Sequence, residues 1–138
     1  LSLTLVYLHG FQCSYNPKNY KKPAFHDLEV RITNSLTKPE ANGGEQLLRD
    51  LFNYFSYLDD IDTMIDGNDT TGLRMLLKVG TQGPAFFNAT YDLGLLKKKF
   101  VWDEADVFEF HDTMKDIDYE WKLVSKHFAK INRTLNMR

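Results

Sequence analysis

At 138 residues, with 43% hydrophobic and 26% charged residues and a net charge of −2, the chain has the make-up of one globular domain, residues 1–138, large enough to bury a core. The near-neutral balance excludes a general basic field for nucleic acid and a solvating acidic tail. The single Cys13 excludes an internal disulfide and a multi-cysteine metal site, and no stretch reaches the ~18 apolar residues that a membrane span needs.

Taken in chain order, Leu1 to Leu8 reads either as an alternating strand or as buried helix, ended by Gly10. Gln12 to Lys22 is polar and carries Asn16-Pro17 and Lys22-Pro23, so it reads as a loop. Phe25, Leu28, Ile32 and Leu36 recur at three and four, which predicts a helix over Ala24 to Leu36. Lys38 to Gly44 is a second break. From Glu45 a strong helix is expected, with Leu48, Leu51, Phe52, Phe55, Leu58, Ile61 and Ile65 on one face and its stop at Gly67. Asp69 is the expected N-cap of a short helix holding Leu73, Leu76 and Leu77. Another helix is expected from Pro84 through Phe86, Phe87, Ala89 and Leu93 toward Gly94 or Lys97. That makes five or six helices with short connections, an arrangement suited to antiparallel neighbours.

The last third organises the rest. Apolar residues fall at Val107, Phe110, Met114, Ile117, Trp121, Val124, Phe128, Ile131 and Leu135, alternating three and four along one seam. This predicts a long C-terminal helix from Glu104 to Leu135, capped by Asp103, with Trp102 stapled on Val107. Charge is sorted along it: eight acids against one lysine over 103–120, then five basic residues and no acid over 121–138. That order opposes the helix dipole at both ends. With Val107 at heptad position a and Phe110 at d, no a or d position is polar, which argues against a metal or catalytic centre along the seam. His111 falls at e and His127 at g, flanking positions that suit half-buried structural histidines.

The candidates for chemistry are few. Leu5-Val6-Tyr7-Leu8-His9-Gly10-Phe11 resembles the strand-to-loop His-Gly segment before the oxyanion hole of α/β-hydrolases, which implies a hydrolase. No Gly-x-Ser-x-Gly elbow follows, and the downstream pattern is helical. The acid-rich run Asp59 to Asp69 fails as a calcium loop, because Met64 and Leu73 fall where oxygen ligands are required. A helix C-terminus with an Asx-rich turn accounts for it. A phosphotransfer bundle would carry its histidine on the helix containing Leu73 to Val79, and none is there. No metal and no cofactor are expected.

The outline is similar to the helical extracytoplasmic sensing domains of bacterial membrane receptors, which also are all-α, cysteine-poor and end in a long helix with basic residues near the membrane. The expectation is therefore an all-α, antiparallel helical bundle of about four main helices plus short ones. Its expected function is non-enzymatic sensing or binding of a small-molecule ligand or protein partner, with an extracytoplasmic location preferred to a cytoplasmic one. The start at Leu1 and the end in mid-pattern read as a fragment or a processed product; a membrane tether outside the given chain is compatible with this, and so is a homodimer. An intracellular helical adaptor or inhibitor is the alternative, and the hydrolase suggested by Leu8-His9-Gly10-Phe11 is third. Arg74, on an otherwise apolar short helix, and Trp102, at a helix entrance, are the ligand-binding candidates; no residue is expected to be catalytic or metal-ligating.

Overall fold

The computed structural model describes residues 23–135, the last four by backbone alone. The readings of Leu1 to Leu8, of His9 and of the Gln12 to Lys22 loop lie outside the described residues. The elements are α1 (Phe25–Thr37), α2 (Gly44–Asp66), α3 (Thr70–Val79), a 3₁₀ turn (Ala85–Asn88), α4 (Leu93–Phe100), α5 (Glu104–Val124), a second 3₁₀ turn (Ser125–His127) and α6 (Phe128–Leu135). No strand occurs among the described residues, and the fold is an all-α helical bundle.

Helix α1 buries Leu28, Ile32 and Leu36, the predicted stripe. It lies antiparallel to α2: Arg31 meets Asp50, Glu29 accepts a hydrogen bond of 3.0 Å from the Tyr54 hydroxyl, and the Tyr57 hydroxyl donates to the Pro23 carbonyl at 2.7 Å. On α2 the buried face is turned from the expected one. Leu47, Asp50 and Tyr54 join Leu48, Leu51, Leu58, Ile61 and Ile65 inside, whereas Phe52 and Phe55 are half-buried. The cause is the Glu29–Tyr54 and Arg31–Asp50 partners on α1, which draw polar-tipped residues inward because a buried polar group must be hydrogen-bonded.

Helix α2 ends as predicted, though the left-handed residue is Asn68 (φ 61°) and not Gly67. Asp69 then caps α3 by accepting from the Thr71 N–H at 2.9 Å. Gly72 lets α3 fold back tightly on α2, since a Cβ there would lie 2.9 Å from Ile65 and Met64.

The helix expected from Pro84 to Gly94 or Lys97 is instead a 3₁₀ turn and a separate α4. Backbone at Ala89 is extended, and Asp92 starts the new helix by accepting from the Leu95 N–H at 3.3 Å, so the capping residue splits the segment.

Val101 is left-handed (φ 53°), and the chain then enters α5 through a capping box formed by Asp103 and Asp106. Trp102 is 8% exposed, and its ring contacts are Phe100 and Phe110, with centroids 5.1 and 5.3 Å away. The return through α3 and α4 lets α5 run parallel to α2: Gly44 lies against Trp102, and eighteen residues on Asp62 meets His127.

Two expectations about the last helix are corrected. It is not one unbroken helix from Glu104 to Leu135, because residues 125–127 tighten into a 3₁₀ turn. There the Ser125 hydroxyl donates to the Lys122 carbonyl at 3.2 Å, competing with the regular ladder. The buried stripe is also rotated. The d residues Phe110, Ile117, Val124 and Ile131 are buried, the a residues Val107, Met114, Trp121 and Phe128 are half-buried, and Thr113 and Glu120 at g are buried. Among the described elements α2, running parallel, is the main partner, and it centres the contact on d. The a side is covered thinly by the loop holding Gly83, where a Cβ would lie 3.0 Å from Trp121.

Candidate functional site

An open cleft of about 350 Å³ lies between the second half of α1, the start of α2 and Phe100. The α1–α2 connection beside it turns through Asn42, whose φ is 70°. Across its floor, Asp50 is fully buried and Arg31 is not: the guanidinium takes the carboxylate in a fork, Nε at 3.1 Å and an Nη at 2.5 Å. Gln46 donates a third hydrogen bond to the same carboxylate at 2.8 Å. The charge of Asp50 is thereby paired and its oxygens filled, as a buried carboxylate requires.

Arg31 has five N–H donors, of which Asp50 engages two. With a side chain 42% exposed, it offers the rest to the cleft. Asn34, Ser35 and Lys38 follow on the same side of α1, and Glu40 lies on the connecting loop. Among the described residues the lining contains no histidine or cysteine.

A second polar feature is the acidic strip buried between α2 and α5. Glu109 is 9% exposed, and burial followed by the Asp106 and Asp112 carboxylates pushes its carboxyl up to about 7. Glu120 is 7% exposed and also raised, by burial first and then by Asp59, Asp62 and Asp116. Its Oε1 is buried with no hydrogen-bond partner.

No protein-family model, curated protein or solved structure matches the chain.

The structure does not bring the two candidate ligand-binding residues together. Arg74 is exposed on α3, against the far end of α2, while Trp102 is buried beside Gly44 at its beginning. At 1.5 Å per residue the 23 residues of α2 separate those ends by roughly 35 Å. His127 is half-buried, as position g predicts; His111 is exposed. The cleft residues escaped sequence reasoning. The available signal was Asp50, an acid between Leu47, Leu51 and Tyr54 on a buried face, which demands a cationic partner from another element.

Proposed function

We propose that this domain is a non-enzymatic binding module that holds a small, carboxylate-bearing ligand in the cleft beside Arg31. The observation that carries the reading is the half-exposed Arg31 guanidinium, fixed in place by the buried Asp50 with donors to spare. A guanidinium fork matches a planar carboxylate, and Lys38 adds a second cation. Glu40 on the loop suits a ligand that also carries an ammonium group, such as an amino acid. The volume lies at the small end of ligand pockets and fits such a molecule.

A ligand seated there touches α1, α2 and Phe100 at once, so its binding biases how the α4–α5 corner sits on α2. That is the form of a sensory module, in which small interface shifts select between two packings. Placement as the extracytoplasmic part of a tethered receptor accords with the basic run of Lys122, Lys126 and Lys130. No helix among the described residues is long and apolar enough to cross a membrane. A tether therefore requires a spanning segment elsewhere in the parent gene, and its absence on both sides would exclude that placement.

Calorimetric titration with glutamate, glycine, succinate and phosphate tests the cleft. Binding of a carboxylate but not of phosphate is expected, and Ser35→Trp, which fills the cleft from the half-buried face of α1, abolishes it. Binding unaltered by Ser35→Trp, or no binding by any of the carboxylates, rejects the reading.

The alternative, a helical adaptor for a protein partner or a second copy, is favoured by Phe108 and Tyr119, 55% and 64% exposed on α5. Eleven residues apart, they share one outer face. Sedimentation of the chain before and after Phe108→Ser separates a homodimer using this face from a monomer.

A further inference from the structure

Asp62 and Asp66 lie one turn apart on the last stretch of α2, and His127 lies in the 3₁₀ turn between α5 and α6. One ligand atom from each, two carboxylate oxygens and an imidazole nitrogen, converge so that all lie within 4.8 Å of one another. His127 Nε2 and Asp62 Oδ1 are 3.4 Å apart, longer than the ~2.8 Å of a close charge-assisted hydrogen bond. A tetrahedral ion with bonds of roughly 2.0–2.1 Å places neighbouring ligand atoms roughly 3.4 Å apart. The Asp62 and His127 side chains are 25% and 23% exposed, shielded yet reachable from solvent.

Glu120 supplies an independent observation. It precedes His127 by seven residues on the same stripe of α5, is 7% exposed and turns an unpartnered Oε1 into the interior. Among the described residues, the charged groups that act on it are acids: Asp59 and Asp62 from α2, and Asp116 from α5. A buried carboxyl that faces three acids, with no cation beside it among the described residues, is a costly arrangement for a fold to keep. A bound dication and its water relieve both defects, neutralising the field and filling the empty acceptor.

We propose that Asp62, Asp66 and His127 bind one four-coordinate divalent transition-metal ion of the Zn²⁺ type, whose fourth ligand is a water hydrogen-bonded to Glu120. One imidazole with two carboxylates suits Zn²⁺ over Mg²⁺ or Ca²⁺, which prefer all-oxygen shells. The bound ion clips the end of α2 to the 3₁₀ turn and so fixes the direction in which α6 leaves α5. This site is at the opposite end of α2 from the Arg31 cleft and stands independently of it.

The test is calorimetric titration of the chelator-treated full chain with ZnCl₂, MgCl₂ and CaCl₂, together with ¹⁵N shifts of the imidazoles. Binding of Zn²⁺ at one site is expected, with the His127 nitrogens shifting and those of His111 unmoved, and with no comparable heat from Mg²⁺ or Ca²⁺. His127→Gln and Asp62→Asn each weaken Zn²⁺ binding by about tenfold or more, Glu120→Gln weakens it less, and Asp118→Asn leaves it unchanged. Circular dichroism establishes that each variant is folded. If His127→Gln is not, the imidazole shift in the unaltered chain decides alone. Absence of Zn²⁺ binding, or binding that leaves the His127 nitrogens unshifted, overturns the proposal.

Discussion

Where α2 begins, Gly44 lies beneath the rings of Trp102 and Phe100, and Phe110 closes the cluster from α5. Where α2 ends, the same two parallel helices meet through Asp62, Glu120 and His127. The first end is held by shape and apolar area, which act at short range and tolerate little displacement. The second adds polar groups to the buried Ile61 and Ile65, among them Glu120, whose carboxyl is raised by burial and by neighbouring acids. We call the first end the pivot and the second the adjustable end, and expect substitutions to cost more at the first than at the second.

The largest effect expected is at the pivot. Phe110 is fully buried between Trp102 and the edge of Tyr91. Phe110→Ala should lower unfolding free energy by about 3–5 kcal/mol, measured by urea denaturation. Truncating Phe128 to Ala, on the half-buried a side near the adjustable end, should cost clearly less; equal losses would break the comparison.

Acidity intrudes on the pivot at Glu109, among other acids, and gives the next effect. Its carboxyl is raised from the ordinary 4.5 to about 7 by burial and by Asp106 and Asp112. The fold thus keeps a proton that the unfolded chain has already released. Stability is full below a pH of about 4.5 and falls as pH rises to about 7, by roughly 2–3 kcal/mol. Glu120, raised in the same direction, adds to the fall. Glu109→Gln should flatten much of this slope between pH 5 and 8 in urea titrations. A slope that is unchanged in Glu109→Gln and vanishes in Glu120→Gln would move the proton-sensitive point wholly to the adjustable end.

The same contrast explains what was legible in the sequence. Helix positions follow from local spacing, and α1, α2, α3 and the start of α5 lie within a residue or so of their expected bounds. The rotation of α5 did not follow, because the apolar pattern fits an a/d seam and nothing local tells that α2 is its main neighbour among the described elements. The polar g residues Thr113, Glu120 and His127 carry that information only once α2 is in place. Likewise Asp62, Asp66 and His127 have no metal-site spacing, since 61 residues separate the second from the third and a parallel crossover brings them together. Arg74 and Trp102 were conspicuous by local contrast, whereas Arg31 is one unremarkable charge on a polar helix face until Asp50 is placed beneath it.

Two glycines offer the smallest and cleanest test of pivot against adjustable end. At Gly44 an added Cβ would lie 2.6 Å from the Phe100 Cβ and collide with the Trp102 indole, both held by backbone and packing, so neither can yield. Gly44→Ala should destabilise by about 1–3 kcal/mol, even though alanine is the better helix former. At Gly67 φ is −87°, and an added Cβ would meet only the Thr63 and Met64 carbonyls at 3.5 and 3.7 Å, an ordinary contact. Gly67→Ala should therefore stabilise by about 0.4–1 kcal/mol through the unfolded chain's lost freedom. Opposite signs in parallel thermal melts are the expected result. Destabilisation at both glycines would mean that the far end of α2 is packed as tightly as its beginning, and α6 would then have no adjustable mount.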